Sequence, residues 1–516
     1  MIVQLLAARQ QDAQKVQRLE HQLQQLLRRL YGRSSEKIDP KQLALFADLL
    51  KQLDQQAPPA AEPQPQTTPV PPSPSTRNGH GRRKLPADLP RERVLHDLRE
   101  EQKPCPCCGN MRQLIGEEHS EQLDYEPAKV KVIEHVRLKY ACKACEQKAA
   151  AGGPQIVVAE KPLSPIEKGL AAPGLLSYVL VSKYGDHLPM YRLENILARL
   201  DIDISRSTMY DWARQSADAL KPLYQVMIQE TLASRVLHTD DTPVAVLDPA
   251  LDKTRTGRFW VYVGDDGHPY VIFDYTPSRS RDGPMSFLKN WGADGGRFLQ
   301  ADAFGGYDGI YAGAAGGRVV EVACWAHARR KFFDAQGSDL EGSTQALAYI
   351  RLLYDFEDQA KLASPAERAR LRQERAAPLL VQFRSWLLGR QAANGGPVLP
   401  KSPMGQAITY TLNQWAALTV YLLDGDLDID NNTAENALRR IALGRKNWLF
   451  CGSDNGGATA AILFSLIATC QRHGVDPLAY LRDVLTRIAA LPISRLPELL
   501  PDRWKAARAA SLASPA

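Results

Sequence analysis

The strongest constraint on the fold comes from a group of strand-like segments between residues 235 and 327. RVLHTD and GRFLQAD each end in an acidic residue, Asp240 and Asp302 respectively. Between them, RFWVYVGDDGHPYVIFDY alternates aromatic and β-branched residues on both sides of a Gly-Asp-Asp-Gly turn, a pattern that predicts a β-hairpin. GRVVEVACWAH predicts a further strand that leads into the helix HARRKFFDA. The segments therefore predict a sheet in which two separate strands end in acids.

A third acidic residue, Glu435, lies in the basic helical segment DIDNNTAENALRRIALGRKN. A strand, a hairpin and a strand, with acids at the ends of the first and fourth strands, is the order of a ribonuclease-H-like α/β fold. A third acid is then expected on a later helix that packs against the sheet, and Glu435 meets that expectation. We predict a catalytic domain of this kind over residues 229–450, with a helical insertion at about 337–423, followed by a C-terminal helical region over 451–516.

These three carboxylates are suited to phosphodiester cleavage. Such cleavage activates a water or a 3′-hydroxyl and neutralises charge on the leaving oxygen, which two divalent ions about 3.5 to 4 Å apart accomplish together. Magnesium is a hard ion that prefers carboxylate oxygen. Taken singly, Asp240 is also explained as a turn residue and Asp302 as a loop cap. Glu435 is also explained as a helix-capping residue or as the i,i+4 partner of Arg439. As a set in this strand order, the acids favour a metal-dependent catalytic site.

Two Cys-x-x-Cys pairs predict a structural zinc site. They lie in EQKPCPCCGN and ACKACE, and four thiolates at this spacing form a tetrahedral zinc site. The strand-rich segment KVKVIEHVRLKYA between them favours a zinc-ribbon-like unit, which we predict over residues 96–160. Cys107 is a spare thiol that competes as a ligand. The predicted zinc ligands are Cys105, Cys108, Cys142 and Cys145.

The N-terminal region divides into a helix and a linker. Leucine and valine recur at alternating spacings of three and four, as in the seam of a short coiled coil; the alternative is an amphipathic helix packed on its own protein. We predict a coiled-coil, leucine-zipper helix over residues 1–54. Residues 55–95 are rich first in proline and then in basic residues, which predicts a flexible linker. The seam residues are Val16, Leu19, Leu23, Leu26 and Leu30.

Residues 161–228 are predicted to be helical, and MYRLENILARLDIDISRSTMYDWARQSADAL resembles a helix-turn-helix. A turn at 201–204 separates the two helices, and Ser205 or Ser207 caps the second. The alternative is a helical hairpin inside a larger core. The apolar positions predicted to be buried are Ile196, Leu197, Leu200, Met209, Trp212 and Ala213. The residues predicted to meet base edges and phosphates are Arg206, Thr208, Tyr210 and Arg214.

Composition narrows the class of protein without identifying a partner. A chain of 516 residues is long enough for three or four domains. Its net charge of +6 permits a nucleic-acid partner without requiring one. No signal peptide is evident, and no apolar run approaches the roughly 20 residues of a membrane span. We therefore predict a cytoplasmic chain whose eight cysteines are thiols or metal ligands rather than a disulfide framework.

Five separated motifs, in one order, resemble those of transposases of the insertion-sequence-66 (IS66) family. The resemblance extends from the zipper to about Arg487. It implies a bacterial DDE transposase with a leucine zipper, a zinc-binding domain, a helix-turn-helix and a ribonuclease-H-like catalytic domain that uses magnesium or manganese. On this resemblance the catalytic acids and metal ligands are Asp240, Asp302 and Glu435. The motifs are HTDDTPV, LQADAFGGYDGIY, CWAHARRKFFDA, IDNNTAENALRRIALGRKNWLFCGSDNG and GVDPLAYLRDVL.

The chain departs from the family pattern at one position of the first motif. The family usually reads Asp-Glu-Thr-Pro where this chain has Asp240-Asp241-Thr242-Pro243. Two adjacent aspartates are therefore candidates for the first metal ligand. Because consecutive strand residues face opposite ways, only one of them can point at the metals. The resemblance favours Asp240 over Asp241.

Basic residues near the predicted site gain candidate roles in binding DNA, against the alternative of a solvated surface. Trp448 follows them on the same helix as Glu435 and is a candidate for stacking on a base. Cys324 and His327 form a Cys-x-x-His pair, which we interpret as a buried thiol and a positioning or hydrogen-bonding histidine, because no second metal-binding pair accompanies it. The basic candidates are Arg329, Arg330, Arg439, Arg440, Arg445 and Lys446.

The resemblance implies hydrolytic nicking at the ends of the element, followed by in-line attack of the freed 3′-hydroxyl on target DNA. The expected partners are terminal inverted repeats, target DNA, further copies of the chain and companion proteins encoded by the same element, with no membrane partner. The expected location is the bacterial cytoplasm, at the nucleoid when bound to DNA. The alternatives are a DNA-binding regulator, a decayed transposase, and a phosphohydrolase of the haloacid dehalogenase type. The last is hinted at by Asp240-Asp241-Thr242, but its nucleophile motif, Asp-x-Asp, is absent at that strand end.

Overall fold

The computed structural model describes residues 130–136, 139–141, 156–158, 163–167, 169–293, 295–312 and 319–513. The predicted coiled coil, the linker and the four predicted zinc ligands Cys105, Cys108, Cys142 and Cys145 lie outside these residues. Residues 130–136 are irregular and exposed and belong to a unit of their own, residues 57–136. All other described residues belong to a second unit.

The described residues contain two β-sheets. The smaller sheet pairs β1 (Lys139–Ala141) antiparallel with β2 (Ile156–Val158). The larger sheet contains β3 (Val236–Val246), β4 (Arg255–Gly264), β5 (Val271–Thr276), β6 (Arg297–Ala301), β7 (Val319–Ala323) and β8 (Phe450–Cys451). Five of these strands lie in the order β5-β4-β3-β6-β7, and β8 pairs with β3 outside this order.

Strand β3 lies at the centre of the larger sheet. It pairs antiparallel with β4 along almost its whole length, and β4 pairs antiparallel with β5. The opposite edge of β3 pairs in parallel with β6 over residues 236–238 and with β8 over residues 245–246. Strand β7 extends the parallel part beside β6. The sheet is therefore mixed, and β3 and β6 run in the same direction side by side.

Strand β3 is longer than predicted, and Asp240 lies in its middle rather than at its end. The strand continues through Pro243 to Val246. Proline lacks a backbone N–H and is tolerated only where no neighbouring strand needs one. The carbonyl of Pro243 is directed at the side chain of Arg445, and the nitrogen of a strand residue points to the same side as its carbonyl oxygen. Pro243 therefore faces the gap between β6 and β8, where no ladder bond is lost.

Helices surround the larger sheet. Along the described part of the chain, three α-helices precede the strands of this sheet, two short ones lie between strands, and the others follow β7. The short strand β8 lies among these later helices. The α-helices are α1 (Pro173–Tyr184), α2 (Met190–Ala198), α3 (Arg206–Leu232), α4 (Asp282–Phe287), α5 (Asp308–Tyr311), α6 (Trp325–Ala335), α7 (Leu340–Ala360), α8 (Pro365–Leu371), α9 (Ala377–Arg390), α10 (Pro403–Asn413), α11 (Trp415–Thr419), α12 (Asn432–Trp448), α13 (Asp454–Arg472), α14 (Pro477–Arg487) and α15 (Pro501–Ala513). Short 3₁₀ segments span Gly305–Tyr307, Ala392–Asn394, Val420–Leu423 and Ile493–Leu499, and a π-helical turn spans Arg372–Ala376. This is a multidomain α+β chain, as predicted.

The second helix of the predicted helix-turn-helix is much longer than a recognition helix. Ser205 caps it by accepting a hydrogen bond from the backbone N–H of Thr208 at 3.3 Å, and α3 then continues for 27 residues. Its later turns belong to the core beside the sheet, where the hydroxyl of Tyr224 donates to the carbonyl of Phe273 at 2.7 Å. Leu200, predicted to be buried, is 41% exposed, because α2 ends at Ala198 and the chain turns away.

Helix α13 covers the outer edge of the sheet. Ser465 and Thr469 are fully buried and accept hydrogen bonds from the backbone N–H groups of Phe273 and Val271 at 2.8 and 3.0 Å. These hydroxyls satisfy donors of the edge strand β5 that would otherwise be free to pair with another chain.

Among the described residues, none of the helices combines the length and the apolar composition that a membrane span requires.

Helices α6 to α11 form a second hydrophobic core beside β7. Trp325 and Phe332 of α6 pack with Phe383 of α9, with ring centres 6.1 and 6.2 Å apart. Helix α6 follows directly after β7, so the helices of this core lie in the chain between β7 and the helix that carries Glu435. They pack around their own aromatic cluster.

Candidate active site

Asp240, Asp302 and Glu435 occupy three neighbouring elements. Asp240 lies in the middle of β3, Asp302 follows the last residue of the adjacent parallel strand β6, and Glu435 lies in the first turn of α12. The charges of Asp302 and Glu435 both act on Asp240 and raise its pKa. The three carboxylates that are separated by up to 195 positions in the sequence are therefore electrostatic neighbours in the fold.

Asp240 is the most perturbed acid of the three. Burial raises its pKa to about 7, the carboxylates of Asp302, Asp241 and Glu435 add to the shift, and a hydrogen bond from the backbone N–H of Asp241 at 2.7 Å opposes it. A carboxyl group that is buried among other acids keeps its proton until a cation compensates the charge. The environment of Asp240 is therefore suited to a bound cation.

Asp302 has an unsatisfied oxygen. Burial raises its pKa, while the positive charges of Arg279 and His327 lower it. Its Oδ1 atom is buried and has no hydrogen-bond partner among the described residues. Buried carboxylate oxygens are expensive to leave unpaired, so this atom is suited to accept a ligand. Divalent cations such as Mg²⁺ fit this oxygen-rich donor set.

The carboxylate of Asp241 accepts hydrogen bonds from two arginines. Its side chain is 1% exposed, and Arg258 Nη1 donates to its Oδ2 at 2.8 Å. Arg279 donates to its Oδ1 through Nε and Nη2 at 3.0 and 2.8 Å. A carboxylate that is held on both oxygens by guanidinium groups has little capacity left for a metal ion. These contacts favour Asp240 as the first ligand, which stays a prediction.

Two side chains at opposite ends of α12 attach it to β3. Asn431 donates from Nδ2 to the carbonyl of Thr239 at 2.8 Å, and Arg445 Nη1 donates to the Thr242 hydroxyl at 2.9 Å and to the carbonyl of Pro243. These side chains bond to β3 in the gap between β6 and β8, where it has no strand partner. The helix that carries Glu435 is thereby held against the strand that carries Asp240.

The loop before α12 is fixed by buried polar contacts. Gln300 of β6 donates to the carbonyls of Asp428 and Asp430 at 2.9 and 3.1 Å and accepts from the Asp428 N–H at 2.9 Å. Asp430 accepts a hydrogen bond from the hydroxyl of Tyr354 in α7 at 2.9 Å. Each partner comes from an element other than the loop itself. The position of Glu435 therefore depends on both the sheet and the helical segment.

His327 lies beside Glu435. Its Nδ1 atom is 3.8 Å from Glu435 Oε1, and the Cys324 thiol completes a group of possible ligand atoms that lie within 4.8 Å of one another. Burial raises the pKa of Cys324 to about 12, and its sulfur accepts a hydrogen bond from the Asn431 N–H at 3.2 Å. A protonated thiol that already has a partner is a poor metal ligand. Cys324 is a buried thiol, as predicted. His327 Nδ1 is buried and has no hydrogen-bond partner among the described residues, so a positioning or hydrogen-bonding role for His327 stays a prediction.

Among the described residues, Glu435 pairs with His327 and not with Arg439, which argues against the i,i+4 explanation of this acid. Its helix begins after Asn431, whose side chain makes no cap. Two residues of the site were not predicted from the sequence, Arg258 and Arg279. The only local signal for Arg279 is its place in the basic loop TPSRSRDG directly after β5.

The predicted DNA-contacting residues differ in their surroundings. Arg206, Thr208, Tyr210 and Arg214 are exposed at the start of α3, where Arg214 also forms ion pairs with neighbouring aspartates on its own helix. Arg330, Arg439 and Lys446 are exposed, and Arg329 and Arg440 are half-buried. Arg445 bonds to β3 and so has a structural role of its own. A role in binding DNA stays a prediction for all of them.

Asp240 is expected to contribute less to the stability of the metal-free protein as the pH rises from about 4 to about 7. The folded chain keeps the Asp240 proton up to about pH 7, whereas the unfolded chain loses it near pH 4. At this group the unfolded state then binds fewer protons, so its contribution to the free energy of unfolding falls with pH. Melting temperatures of the wild type and Asp240→Asn are compared with a chelator present from pH 5 to 8. The wild type should lose stability relative to Asp240→Asn as the pH rises, and a constant difference would mean that Asp240 is ionised when buried.

Four sequence profiles of one family match the chain. The profile described as "Transposase IS66 family" matches residues 168–459, which includes all three acids. The "zinc-finger binding domain of transposase IS66" matches residues 102–146, and the "IS66 C-terminal element" matches residues 465–501. The fourth, described as "Transposase C of IS166 homeodomain", matches residues 18–94.

Curated relatives come from Sinorhizobium fredii (strain NBRC 101917 / NGR234). The uncharacterized protein y4hP is 35% identical over 458 residues, which cover 85% of this chain and 79% of the relative. The uncharacterized protein y4jD is 34% identical over 436 residues, which cover 82% of each. These relatives extend the similarity across most of the chain.

Proposed function

The chain belongs to the IS66 family of transposases, and from this membership we propose that it cleaves the ends of an insertion sequence and joins the freed 3′-hydroxyl groups to target DNA. The observation that carries the proposal is the setting of Asp240, a buried carboxyl in the middle of β3 whose pKa is raised by burial and by the charges of Asp302 and Glu435. Such a cluster has few uses in a protein other than binding a cation.

We propose that the larger sheet is a ribonuclease-H-like sheet. The strand order supports this: β3, β4 and β5 are consecutive antiparallel neighbours, and β6 and β7 run parallel to β3 on its other side. Asp240 on the first of these strands and Asp302 after the fourth match the positions that this fold gives to acids. Glu435 comes from a later helix that packs on the same strands.

Asp240, Asp302 and Glu435 would hold magnesium or manganese. Two divalent ions in such a site activate the attacking oxygen and neutralise charge on the leaving oxygen. The chain's own residues prepare the site: Gln300 fixes the loop before α12, and Asn431 and Arg445 hold α12 against β3. Direct in-line transfer requires no nucleophile from the protein, in keeping with a site made of carboxylates.

DNA is the proposed partner of α3, through Arg206, Thr208, Tyr210 and Arg214, and of the basic residues around α12. Exposure supports this role for all of them except Arg329, Arg440 and Arg445, which are half-buried. We further propose that Cys105, Cys108, Cys142 and Cys145 hold a structural zinc ion, since the match to a zinc-finger domain spans all four. Pairing of protomers through the N-terminal zipper, companion proteins of the same element and a cytoplasmic, nucleoid-associated location complete the proposal.

The proposal is tested by cleavage of a DNA fragment that carries one end of the native element. Purified protein, supplied with its companion proteins, should nick the fragment in Mg²⁺ and leave a 3′-hydroxyl. A chelator should abolish nicking, and added Mg²⁺ should restore it. Protein that binds the fragment and never nicks it under these conditions would instead be a DNA-binding regulator or a decayed transposase.

A further inference from the structure

Lys183 is a buried cation that has no anionic partner among the described residues. It lies in the last turn of α1 and is 6% exposed. Among the described residues, the only charge that favours its protonated form is that of Cys451, and burial raises the pKa of this thiol to about 11, so it is uncharged at neutral pH. Burial lowers the pKa of Lys183 to about 8, so the side chain is still mostly an ammonium group at pH 7.

Aromatic rings provide the immediate surroundings of this ammonium group. Its nitrogen lies 5.8 Å from the ring centre of Tyr210 in α3 and 5.4 Å from that of Trp448 in α12. Two such contacts contribute roughly 0.5 to 2 kcal/mol each. An unpaired buried ion costs several kcal/mol. The rings therefore offset only part of the cost of burying Lys183, and an anion would offset the rest.

Unpaired ring nitrogens lie next to the same rings. Trp448 Nε1 and His187 Nδ1 are buried and have no partner among the described residues. Both face Gly444: a Cβ atom there would lie 2.7 Å from Trp448 Nε1 and 2.9 Å from His187 Nδ1. The indole N–H of Trp448 can only donate. It is therefore a buried donor that no acceptor of the described residues satisfies.

The surrounding charge is also mostly positive. Arg440 is close enough to His187 to lower its pKa, and Arg206 lowers the pKa of Tyr210. Asp186 is the one acid that acts on His187, and it is exposed to solvent. Tyr210 is 49% exposed, so the cluster opens to the surface at the start of α3.

We propose that Lys183, Tyr210 and Trp448 form a binding site for a phosphate group of the DNA backbone. A phosphate supplies both the negative charge and the acceptor oxygens that this cluster lacks. The proposal rests on the proposed function, because it takes DNA as the substrate. The site joins the start of α3 to the end of α12, the helix whose first turn carries Glu435. Binding of DNA at α3 would thereby also fix the helix that completes the acidic cluster.

The test compares Lys183→Met with Lys221→Met, which removes the same charge from an exposed position of α3. Binding of a 30-base-pair duplex is measured by fluorescence anisotropy at several salt concentrations. Lys183→Met should weaken binding about tenfold and reduce the slope of log affinity against log salt by about one. Its melting temperature without DNA should equal or exceed that of the wild type, since an unpaired buried charge is gone. Lys221→Met should leave affinity, slope and melting temperature near those of the wild type.

A second variant, Trp448→Phe, removes the indole N–H and keeps an aromatic ring. It should also weaken duplex binding, by about threefold. Wild-type affinity and salt slope in both Lys183→Met and Trp448→Phe would overturn the phosphate site, as would a wild-type protein that binds no duplex. These readouts do not depend on cleavage. If the wild type nicks DNA and Lys183→Met binds normally, only the phosphate site is refuted. If the wild type never nicks DNA and Lys183→Met binds weakly, only the proposed function is refuted.

Discussion

Asp240→Asn is expected to slow Mg²⁺-dependent DNA cleavage by about 100-fold or more, because metal ions contribute several kcal/mol of transition-state stabilisation. Asparagine keeps the size of the side chain and one oxygen but removes the negative charge that a divalent ion requires. Removing a buried acid with a raised pKa should also leave the metal-free fold at least as stable. The measurement is the initial rate of nicking per folded molecule at saturating Mg²⁺.

Asp241→Asn is the matched control for this result, one position along the same strand. This variant is expected to lower the stability of the fold, because Arg258 and Arg279 would lose the carboxylate that both contact. The two arginines are partly exposed. The free energy of unfolding should therefore fall by less than the roughly 3 to 5 kcal/mol that breaking a fully buried ion pair costs. Nicking per folded molecule should stay within about tenfold of the wild type. The reverse pattern, with an active Asp240→Asn and an inactive folded Asp241→Asn, would make Asp241 the metal ligand.

Arg372→Met is expected to lower the free energy of unfolding by about 3 to 5 kcal/mol. The side chain is 2% exposed and forms a bidentate pair with Glu357, at 2.8 and 2.7 Å. It also donates to the carbonyls of Tyr421, Asp424 and Leu427 at 2.7 to 2.8 Å. Removing it leaves a buried carboxylate and three carbonyls without their donor. The segment that it holds leads into α12, so nicking should fall as well.

Arg370→Met is the control for this prediction. Arg370 lies two positions earlier, is about half exposed, and pairs with Glu367 and Glu374 on the surface. Exposed pairs contribute at most about 1 kcal/mol, so this variant should unfold close to the wild-type urea midpoint. Equal midpoints for the two variants would mean that the Arg372 network does not stabilise the fold.

The strands and their order along the chain were predictable, because each strand is marked by a pattern of neighbouring residues. Alternation of apolar residues marks the hairpin of β4 and β5, and a run of apolar residues followed by an acid marks β6 and Asp302. Short-range pattern also limited the cap of α3 to Ser205 or Ser207, and the structure has it at Ser205. Features of this kind depend on neighbours a few positions away, which one sequence contains.

The extent of β3 was not predictable by the same means. Pro243 is a local signal for the end of a strand, and it is overridden by contacts from Asn431 and Arg445, which lie about 200 positions later. Only the folded chain reveals that this part of β3 borders a helix and not another strand. Asp240 consequently has a more buried setting than a strand end would provide.

The pairing of buried charges could not be predicted from the sequence either. A sequence with 64 basic and 58 acidic residues allows many pairings. Nothing local distinguishes Arg279, which neutralises Asp241, from Arg281 in the same loop. Lys183 is hidden for the opposite reason, since its distinction is the lack of a partner among the described residues. Charges of both kinds become functional candidates only when their burial is known.

The measurement that tests the central claim most directly is mobilisation of the native locus in bacteria, with its neighbouring genes and a selectable marker between its ends. Wild type and Asp302→Asn are compared at equal protein levels. Frequent transposition by the wild type and at least about a 100-fold loss in Asp302→Asn is the predicted result, because Asp302 would hold the ions that transfer requires. Equal transposition by both proteins would contradict the carboxylate site at Asp240, Asp302 and Glu435.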